Sequence, residues 1–266
     1  MAFPLGALAT TTWLFLVAFS LPNVHAAHNH VGSIKKVSIK RHRPIFKPGP
    51  WKQAHATFYE GGSGTFGGAC GYEDVVKEGY GLDTVALSSV MFNNGLTCGA
   101  CYEVKCVKSP EGGCKAGKSS IIVTATNFCP PNDDLPGDNG GWCNPPREHL
   151  DLAKPAYLKI AEYKAGIVPI HYRRVPCKKK GGIRFTITGN PYFYLVSVWN
   201  VGGAGDITQV MVKGDKKVKN WTKLKRNWGQ KWETDKQLVG ETLAFRVRAS
   251  DSRYKPLKKG IVLTRS

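Results

Sequence analysis

All eight cysteines of this 266-residue chain lie in one part of the sequence, and this limits what the chain can fold into. They fall between Ser63 and Lys178: Cys70, Cys98, Cys101, Cys106, Cys114, Cys129, Cys143 and Cys177. An even number of cysteines in an exported chain indicates disulfide bonds, and the short loop from Cys106 to Cys114 suits a local one, but the other pairings stay open. Cys98-x-x-Cys101 also has the spacing of a redox motif or half a zinc site, yet no second ligand pair follows it. We therefore expect structural disulfides, with no metal and no cofactor.

The first 26 residues have the features of a secretory signal peptide. Residues 1–26 contain no charged side chain, carry an apolar run from Trp13 to Phe19 and end in Val24-His25-Ala26, a small-x-small cleavage pattern. The apolar run is too short to span a bilayer, and no later segment is long enough. We expect a secreted, extracellular protein with no membrane span.

The net charge of +19 is distributed unevenly and indicates the domain boundaries. Residues 27–50 carry +6 without a single acid, which indicates a basic flexible segment. Residues 51–177 are almost neutral, with 12 Lys or Arg and 13 Asp or Glu, whereas residues 178–266 carry +14. Because the change coincides with the last cysteine, we predict a disulfide-bonded domain over 51–177, a linker over 178–186 and a second domain over 187–266.

Short strands separated by Gly-rich turns are predicted for both domains. Alternating β-branched and aromatic residues indicate strands over 54–59, 100–106, 121–126 and 168–174 in the first domain, and over 183–188, 192–199, 207–212 and 242–249 in the second. Two helices are predicted, over 84–92 and 154–163, the latter with Pro155 in its first turn. Several strands within about 80 residues indicate a small β-sandwich for the second domain.

Asp151 is the first candidate for chemistry. It lies in the segment 142–152, just after a cysteine-bounded loop rich in Gly, Pro and Asp, and functional residues are frequent on loops that a rigid scaffold positions. His149 stands two residues earlier, so the two side chains face the same way if the segment is extended. The alternative is structural, with Asp151 capping the helix that follows.

Several motifs together resemble the plant expansins, and most closely the α-expansin branch. They are His55–Tyr59, Gly67–Tyr72, Asn93–Cys106, Thr124–Asn132, Trp142–Leu152, Tyr172–Cys177, Asn200–Asp206 and Arg226–Trp232. The resemblance implies a mainly β chain, with a six-stranded double-psi β-barrel followed by an immunoglobulin-like β-sandwich carbohydrate-binding domain. It also implies a plant cell-wall protein that loosens non-covalent contacts between cellulose microfibrils and matrix glycans, and that works best at acidic pH.

The resemblance also gives roles to residues of the first domain. Inverting endoglucanases with a similar barrel need two carboxyl groups about 6.5–9.5 Å apart. Asp151 takes the place of the general acid, and Thr57 and Tyr59 line the same groove beside His149. The candidates for a second acid have the pattern of solvated loop carboxylates: Asp133, Asp134, Asp138 and Glu60. Asn127 is an amide and cannot act as a base.

We therefore predict a protein without hydrolase activity, not an enzyme. The alternatives are an inverting endo-β-1,4-glucanase and a passive polysaccharide-binding protein.

One departure from the family concerns Leu150, which stands where expansins usually have Phe. Two others are a shortened turn over 60–65 and a C-terminus without aromatic residues in its closing strand. The candidate for this closing strand is 261–264.

Aromatic side chains of the second domain are candidates for stacking on sugar rings. Trp228 and Trp232 share one face if they lie on one strand, and Tyr192 and Trp221 are further candidates. For either of the first two, burial in the core is the alternative. Asn220-Trp221-Thr222 is an N-glycosylation sequon, and an attached glycan would lie beside Trp221.

The expected partners are glycans. Cellulose and xyloglucan-type matrix glycans follow from the resemblance, and the +14 charge of residues 178–266 adds anionic pectin, bound more weakly as salt rises. Nucleic acid is the rival partner for a basic domain, but export and the lack of a nucleic-acid-binding motif argue against it. We expect a monomer.

Overall fold

The computed structural model describes residues 46–61, 68–110, 112–117, 120–190, 192–251, 254–256 and 261–262. The expected signal peptide over 1–26, most of the basic segment and most of the turn over 60–65 lie outside these residues. The described residues all belong to one compact unit of the chain. Across them, no helix has both the length and the apolar character that crossing a membrane requires.

Six strands of the first domain close into a barrel. They are β1 (Lys52–Tyr59), β2 (Thr84–Leu87), β3 (Cys101–Cys106), β4 (Ile121–Phe128), β5 (His149–Ala153) and β6 (Val168–Val175). Their order around the barrel is β1-β5-β2-β4-β3-β6. β1 pairs with β5, and β2 with β4, in parallel, whereas the other neighbours are antiparallel. The expected six-stranded barrel is confirmed.

Side-chain alternation along the strands separates the barrel core from its outer face. On β1, Ala56 is fully buried and Phe58 packs against the same core. On β5, Leu150 and Leu152 are fully buried in that core. The departure at Leu150 therefore exchanges one apolar core residue for another, a kind of change that cores usually tolerate.

Both predicted helices are shorter in the structure. Over 84–92, the chain forms β2 and then only a four-residue helix, α1 (Ser89–Phe92). All four residues of β2 are buried, and a short apolar run of this kind does not distinguish a strand from a helix. Over 154–163, α2 spans only Lys154–Tyr157. The chain then turns to pair with another segment, because Ala161 bridges Cys114.

The second domain consists of two sheets around a common apolar core. One has the order β11-β12-β8-β7, built from β7 (Arg184–Asn190), β8 (Phe193–Trp199), β11 (Lys225–Trp228) and β12 (Lys231–Thr234). The other contains β9 (Ile207–Lys213), β10 (Thr222–Lys223), β13 (Thr242–Ala249), β14 (Tyr254–Pro256) and β15 (Ile261–Val262). β7 starts at Arg184, within the segment expected as a linker. β15 pairs with β13, so the start of the candidate closing strand joins this sheet.

Four disulfides connect all eight cysteines and leave none free. The pairs are Cys70–Cys98, Cys101–Cys177, Cys106–Cys114 and Cys129–Cys143. The expectation of structural disulfides, including the local one, is confirmed. Cys129–Cys143 closes the loop that leads to β5, while Cys101–Cys177 ties the end of the barrel domain to β3.

Candidate glycan-binding site

The parallel pairing of β1 with β5 brings the predicted groove residues together. In this register His55 lies opposite His149, and Thr57 lies opposite Asp151. All four occupy positions that alternate with core residues, so they share the outer face of the barrel. The expectation that His149 and Asp151 face together is confirmed. Asp151 lies in the middle of β5, and the residue before α2 makes no side-chain cap, so the helix-capping alternative is wrong.

A chain of hydrogen bonds links three of these side chains. The Thr57 hydroxyl donates to Oδ1 of Asp151 at 2.7 Å and lies 2.8 Å from Nε2 of His149. Since the hydroxyl has only one proton, Nε2–H of His149 donates to Thr57. Ser88 fixes the start of β5, because its Oγ accepts the His149 amide N–H at 3.1 Å and donates to the Arg147 carbonyl at 2.9 Å.

Burial shifts the pKa values of the two titratable groups in this chain of hydrogen bonds in opposite directions. It raises the pKa of the Asp151 carboxyl to about 6, although the hydrogen bond from Thr57 acts against the shift. It lowers the pKa of His149 to about 3, with further lowering from the positive charges of His55 and Arg147. His149 is therefore a neutral hydrogen-bond donor, and Asp151 is protonated in mildly acidic solution.

Tyr59 follows Thr57 on the same face, two residues further along β1. Burial raises the pKa of its hydroxyl, the side chain of Thr84 acts against this, and the charge of Asp151 adds to the rise. The hydroxyl is buried and makes no hydrogen bond of standard geometry to a described residue. Tyr59 thus lies beside Asp151 as expected, but its hydroxyl does not face solvent.

A cavity of about 520 Å³ opens beside Asp151, and its walls come from β1, β5, the loop closed by Cys129–Cys143 and the turn 165–167. Trp142 contributes a large aromatic side chain to it. Among the described residues that line it, Asp151 is the only carboxylate. Asp133, Asp134 and Asp138 are exposed loop residues, and Glu60 pairs with Lys154 at 2.9 Å.

In the second domain, the outer face of the sheet β11-β12-β8-β7 presents aromatic side chains to solvent. Trp228 is 43% exposed, and Nζ of Lys231 lies 5.4 Å from the centroid of its ring. Tyr192, in the turn before β8, is 80% exposed. Asn190 holds this turn, because its Oδ1 accepts the amide N–H groups of Tyr192 and Phe193.

The barrel and this sheet face are connected by the segment 68–71. Its residue Ala69 donates its amide N–H to Oδ1 of Asn127, one of the side chains around the Tyr59 hydroxyl. At the other end, a Cβ added to Gly71 would lie 3.1 Å from Nε1 of Trp228. The indole of Trp228 therefore rests against the barrel.

Comparisons with known sequences agree with this architecture. The family profile described as the Expansin C-terminal domain matches residues 183–260, and one described as lytic transglycolase matches residues 84–172. Expansin-A32 of Oryza sativa subsp. japonica is 63% identical over 224 residues, which cover 84% of this chain and 82% of that protein. The chain belongs to the expansin family. Expansin-A7 of Arabidopsis thaliana is 52% identical over 204 residues, or 76% of each chain, which agrees with the α-expansin branch.

Solved structures show the same fold. Apo Clavibacter michiganensis expansin matches with a TM-score of 0.58 at 22% identity, over 81% of this chain and 93% of that one. A variant of this bacterial expansin in complex with cellohexaose matches with a TM-score of 0.57, also at 22% identity and over the same shares of both chains. The double-psi barrel followed by a sheet domain is thus confirmed for this expansin.

The predicted aromatic row of the expansin is partly wrong. Trp232 is only 3% exposed and packs in the sandwich core. It does not share a strand with Trp228, because β11 and β12 form a hairpin in which Trp232 lies opposite Arg226. Trp221 precedes β10 in the other sheet, where its ring stacks with Arg246 at 4.1 Å. Trp221 therefore does not join the face that carries Trp228.

Sequence reasoning missed Trp199 and Phe193 of β8, which lie on the same outer face as Trp228. Phe193 is 41% exposed, and Trp199 is half-buried, with Nε1–H donating to Thr186 at 3.2 Å. Their two-residue alternation with the buried Tyr194, Val196 and Val198 was the available signal. Within the described residues of the expansin, no cluster of His, Cys, Asp or Glu has the arrangement of a metal site.

Proposed function

We propose that this expansin binds cellulose and matrix glycans and loosens their non-covalent contacts in the plant cell wall without hydrolysing them. The observation that carries the proposal is the single carboxylate among the described residues of the groove, Asp151. Inverting hydrolysis needs a second carboxylate, about 6.5–9.5 Å away, to activate water. Family membership supports the wall-loosening role.

Asp151 acts as a hydrogen-bond donor in this proposal. Below a pH of about 6 its carboxyl is protonated, and Thr57 occupies only Oδ1. The protonated group donates to a hydroxyl or ring oxygen of a glucan chain and competes with the hydrogen bonds that hold that chain to its neighbours. Above this pH the carboxylate can only accept, so the hydrogen bond that it donated is lost.

The sheet face with Trp228, Tyr192, Phe193 and Trp199 supplies the attachment to cellulose. Exposed aromatic rings stack on the apolar faces of pyranose rings and bury apolar area without needing charge. The cellohexaose complex of the bacterial relative supports a β-linked glucan as the ligand class. In the same proposal, xyloglucan-type glycans occupy the groove.

The opposite sheet supplies a contact for anionic pectin. Its outer face carries Lys213, Lys223 and Arg246, the last stacked on Trp221. Asn220 is exposed next to Trp221, and a glycan on this sequon would narrow access to that face. Four disulfides support export, and the protein acts in this proposal as a secreted monomer outside the cell.

Extension of isolated cell walls under constant load tests the proposal. Wild type and Asp151→Ala, which removes the donor, are compared at about pH 4.5 and pH 7, with reducing-sugar release measured in parallel. We expect wild-type creep at the acidic pH only, little creep with the variant, equal cellulose binding by both, and no sugar release. Sugar release that disappears in Asp151→Ala would instead establish an endo-β-1,4-glucanase, and absence of creep with either protein would establish a passive binder.

A further inference from the structure

A second cavity lies on the barrel beside the Asp151 groove. It has a volume of about 520 Å³ and lies between β1, β6 and the segment before β5. Its polar side chains are Gln53, His55, Arg147, Glu148 and His171. None of the roles described above uses Arg147 or His171.

Arg147 is the unusual group in this cavity, because it is a half-buried cation without an anionic partner. Among the described residues, no carboxylate lies within ion-pair distance of its guanidinium group. Among the same described residues, its one ring contact is with Trp142, whose ring centroid lies 5.4 Å away. A cation that is partly removed from water gains much from a hydrogen-bonded counter-ion.

Glu148, the only carboxylate among the described residues of the cavity, does not supply that counter-ion. One of its oxygens accepts from Lys52 Nζ at 2.8 Å, and the other accepts from the Tyr172 hydroxyl at 2.6 Å. The cavity therefore keeps an uncompensated positive charge. Its influence on neighbours is visible at His55, where burial first and the charge of Arg147 second lower the imidazole pKa.

The position of the cavity relates it to the groove. His55 precedes Thr57 by two residues on the same face of β1, which places it roughly 7 Å along the strand from the groove. Trp142 contacts Arg147, which lines the cavity, and itself lines the groove, so it connects the two spaces. A single glycan chain that occupies the groove can reach the cavity with a neighbouring residue or a branch.

We propose that Arg147, with His55 and His171, forms a subsite for the carboxylate of a uronic acid in a matrix glycan. The guanidinium group has five N–H donors in a planar fork that matches a carboxylate, and the two imidazoles add hydrogen bonds at the rim. The subsite rests on the proposed glycan-binding function of the groove and adds a preference for acidic glycans. It is distinct from the basic sheet face around Arg246.

The test compares two forms of one ligand. Binding of a glucuronate-substituted xylo-oligosaccharide is measured by calorimetry beside the same oligosaccharide with its carboxyl group reduced to an alcohol. Wild type should bind the acidic form roughly tenfold more tightly, in line with a charge-assisted hydrogen bond, and this preference should shrink as salt rises. Arg147→Gln should lose the preference without weakening the neutral form, and Arg147→Lys should keep part of it.

Lys179→Gln is the matched control, because Lys179 is also half-buried and the change also removes one charge and one cation–π contact, with Tyr80, at a residue that lines neither the cavity nor the basic sheet face. The proposal is overturned if wild type shows no acidic preference or if Lys179→Gln loses as much of it as Arg147→Gln. Oligogalacturonides assayed in parallel distinguish pectic from xylan carboxylates, since stronger binding of either by wild type identifies the source. Thermal unfolding checks that each variant folds. If Arg147→Gln does not fold, wild type is used in a competition experiment, in which displacement of the acidic but not the neutral ligand by free glucuronate still supports the subsite.

If the proposed glycan-binding function itself is wrong, the binding measurements give a different pattern. If wild type binds neither cellulose nor the neutral oligosaccharide, the proposed glycan-binding function is wrong, and the subsite is rejected with it. If both neutral ligands bind but no acidic preference exists, only the subsite is rejected.

Discussion

Asp151 shows how strongly one side chain depends on its neighbours. Its carboxyl is mostly removed from water, and the Thr57 hydroxyl is its hydrogen-bond donor. His149 is fully buried and neutral, so it supports Thr57 without contributing a charge. The arrangement keeps Asp151 protonated in mild acid and makes its ionisation less favourable than in the unfolded chain.

This unfavourable ionisation predicts a pH-dependent difference in stability. The folded pKa of Asp151 is raised from 3.8 to about 6, so between these values the folded state binds more protons than the unfolded state. The free energy of unfolding therefore decreases as pH rises through this window, by at most roughly 3 kcal/mol, and the loss persists above it. Asp151→Asn removes this loss, so chemical denaturation should show the variant gaining on wild type between about pH 4 and pH 7. A constant difference between the two proteins would contradict the shift.

Thr57→Val tests the chain of hydrogen bonds while keeping the shape of the side chain at position 57. Loss of the hydroxyl removes the donor that stabilises ionised Asp151 and the acceptor for Nε2–H of His149. We expect the Asp151 pKa to rise above about 6 and stability to fall by about 1–3 kcal/mol. Carboxyl titration by carbon-13 NMR measures the first effect, and Thr57→Ser, which keeps the hydroxyl, should leave the pKa near its wild-type value.

The β11–β12 hairpin determines what its two tryptophans do. Gly229 forms its turn with φ of +45°, and a Cβ there would lie 2.5 Å from the Cys70 carbonyl oxygen of the barrel. After this turn the chain direction reverses, so Trp228 lies on the outer face and Trp232 faces the core. The same residue type thus serves two purposes only four positions apart.

A pair of substitutions separates these purposes. Trp228→Ala should reduce retention on cellulose in a pull-down and cost less stability than the loss of a core ring, because Trp228 is 43% exposed. Trp232→Ala should cost about 3–5 kcal/mol of stability, since it empties a core position. Unchanged retention with Trp228→Ala would rule out its role as a platform.

The two domains share a closely packed boundary. Arg174 of the barrel pairs with the buried Asp206 at 2.7 Å, and the amide N–H of Gln230 donates to the Cys70 carbonyl at 2.8 Å. Gly99 and Gly205 pass so close that a side chain on Gly205, whose φ is +84°, would collide with the Gly99 carbonyl. The groove and the aromatic face are therefore held in a fixed relation.

Gly205→Ala should weaken this boundary. We expect a loss of more than about 1 kcal/mol from strain at positive φ, together with the steric conflict. Calorimetry should show one unfolding transition for wild type and two for the variant, as the domains lose their mutual support. Gly240→Ala is the control, because it also has positive φ but no heavy atom within 4 Å of the added Cβ. Two transitions in this control would show that backbone strain alone explains the effect.

Much of the local structure could be predicted from the sequence. Strands such as β6 and β13 follow from alternation, because one face of each is buried and the other is not. The same reasoning placed His149 and Asp151 on one side. It failed for β2, which is buried along its whole length and carries no alternation, and for β5, which follows a loop and spans only five residues.

The sequence by itself determined the presence of disulfides and the division into two β-rich domains, and it indicated Asp151 as the candidate site residue. Only the tertiary structure decided which cysteines pair, which tryptophan is exposed and that Arg147 has no anionic partner among the described residues. These features depend on contacts between residues far apart in the chain, such as Thr57 with Asp151 or Gly99 with Gly205. Local patterns report which side of a strand is buried, whereas barrel closure and domain packing determine what that side meets.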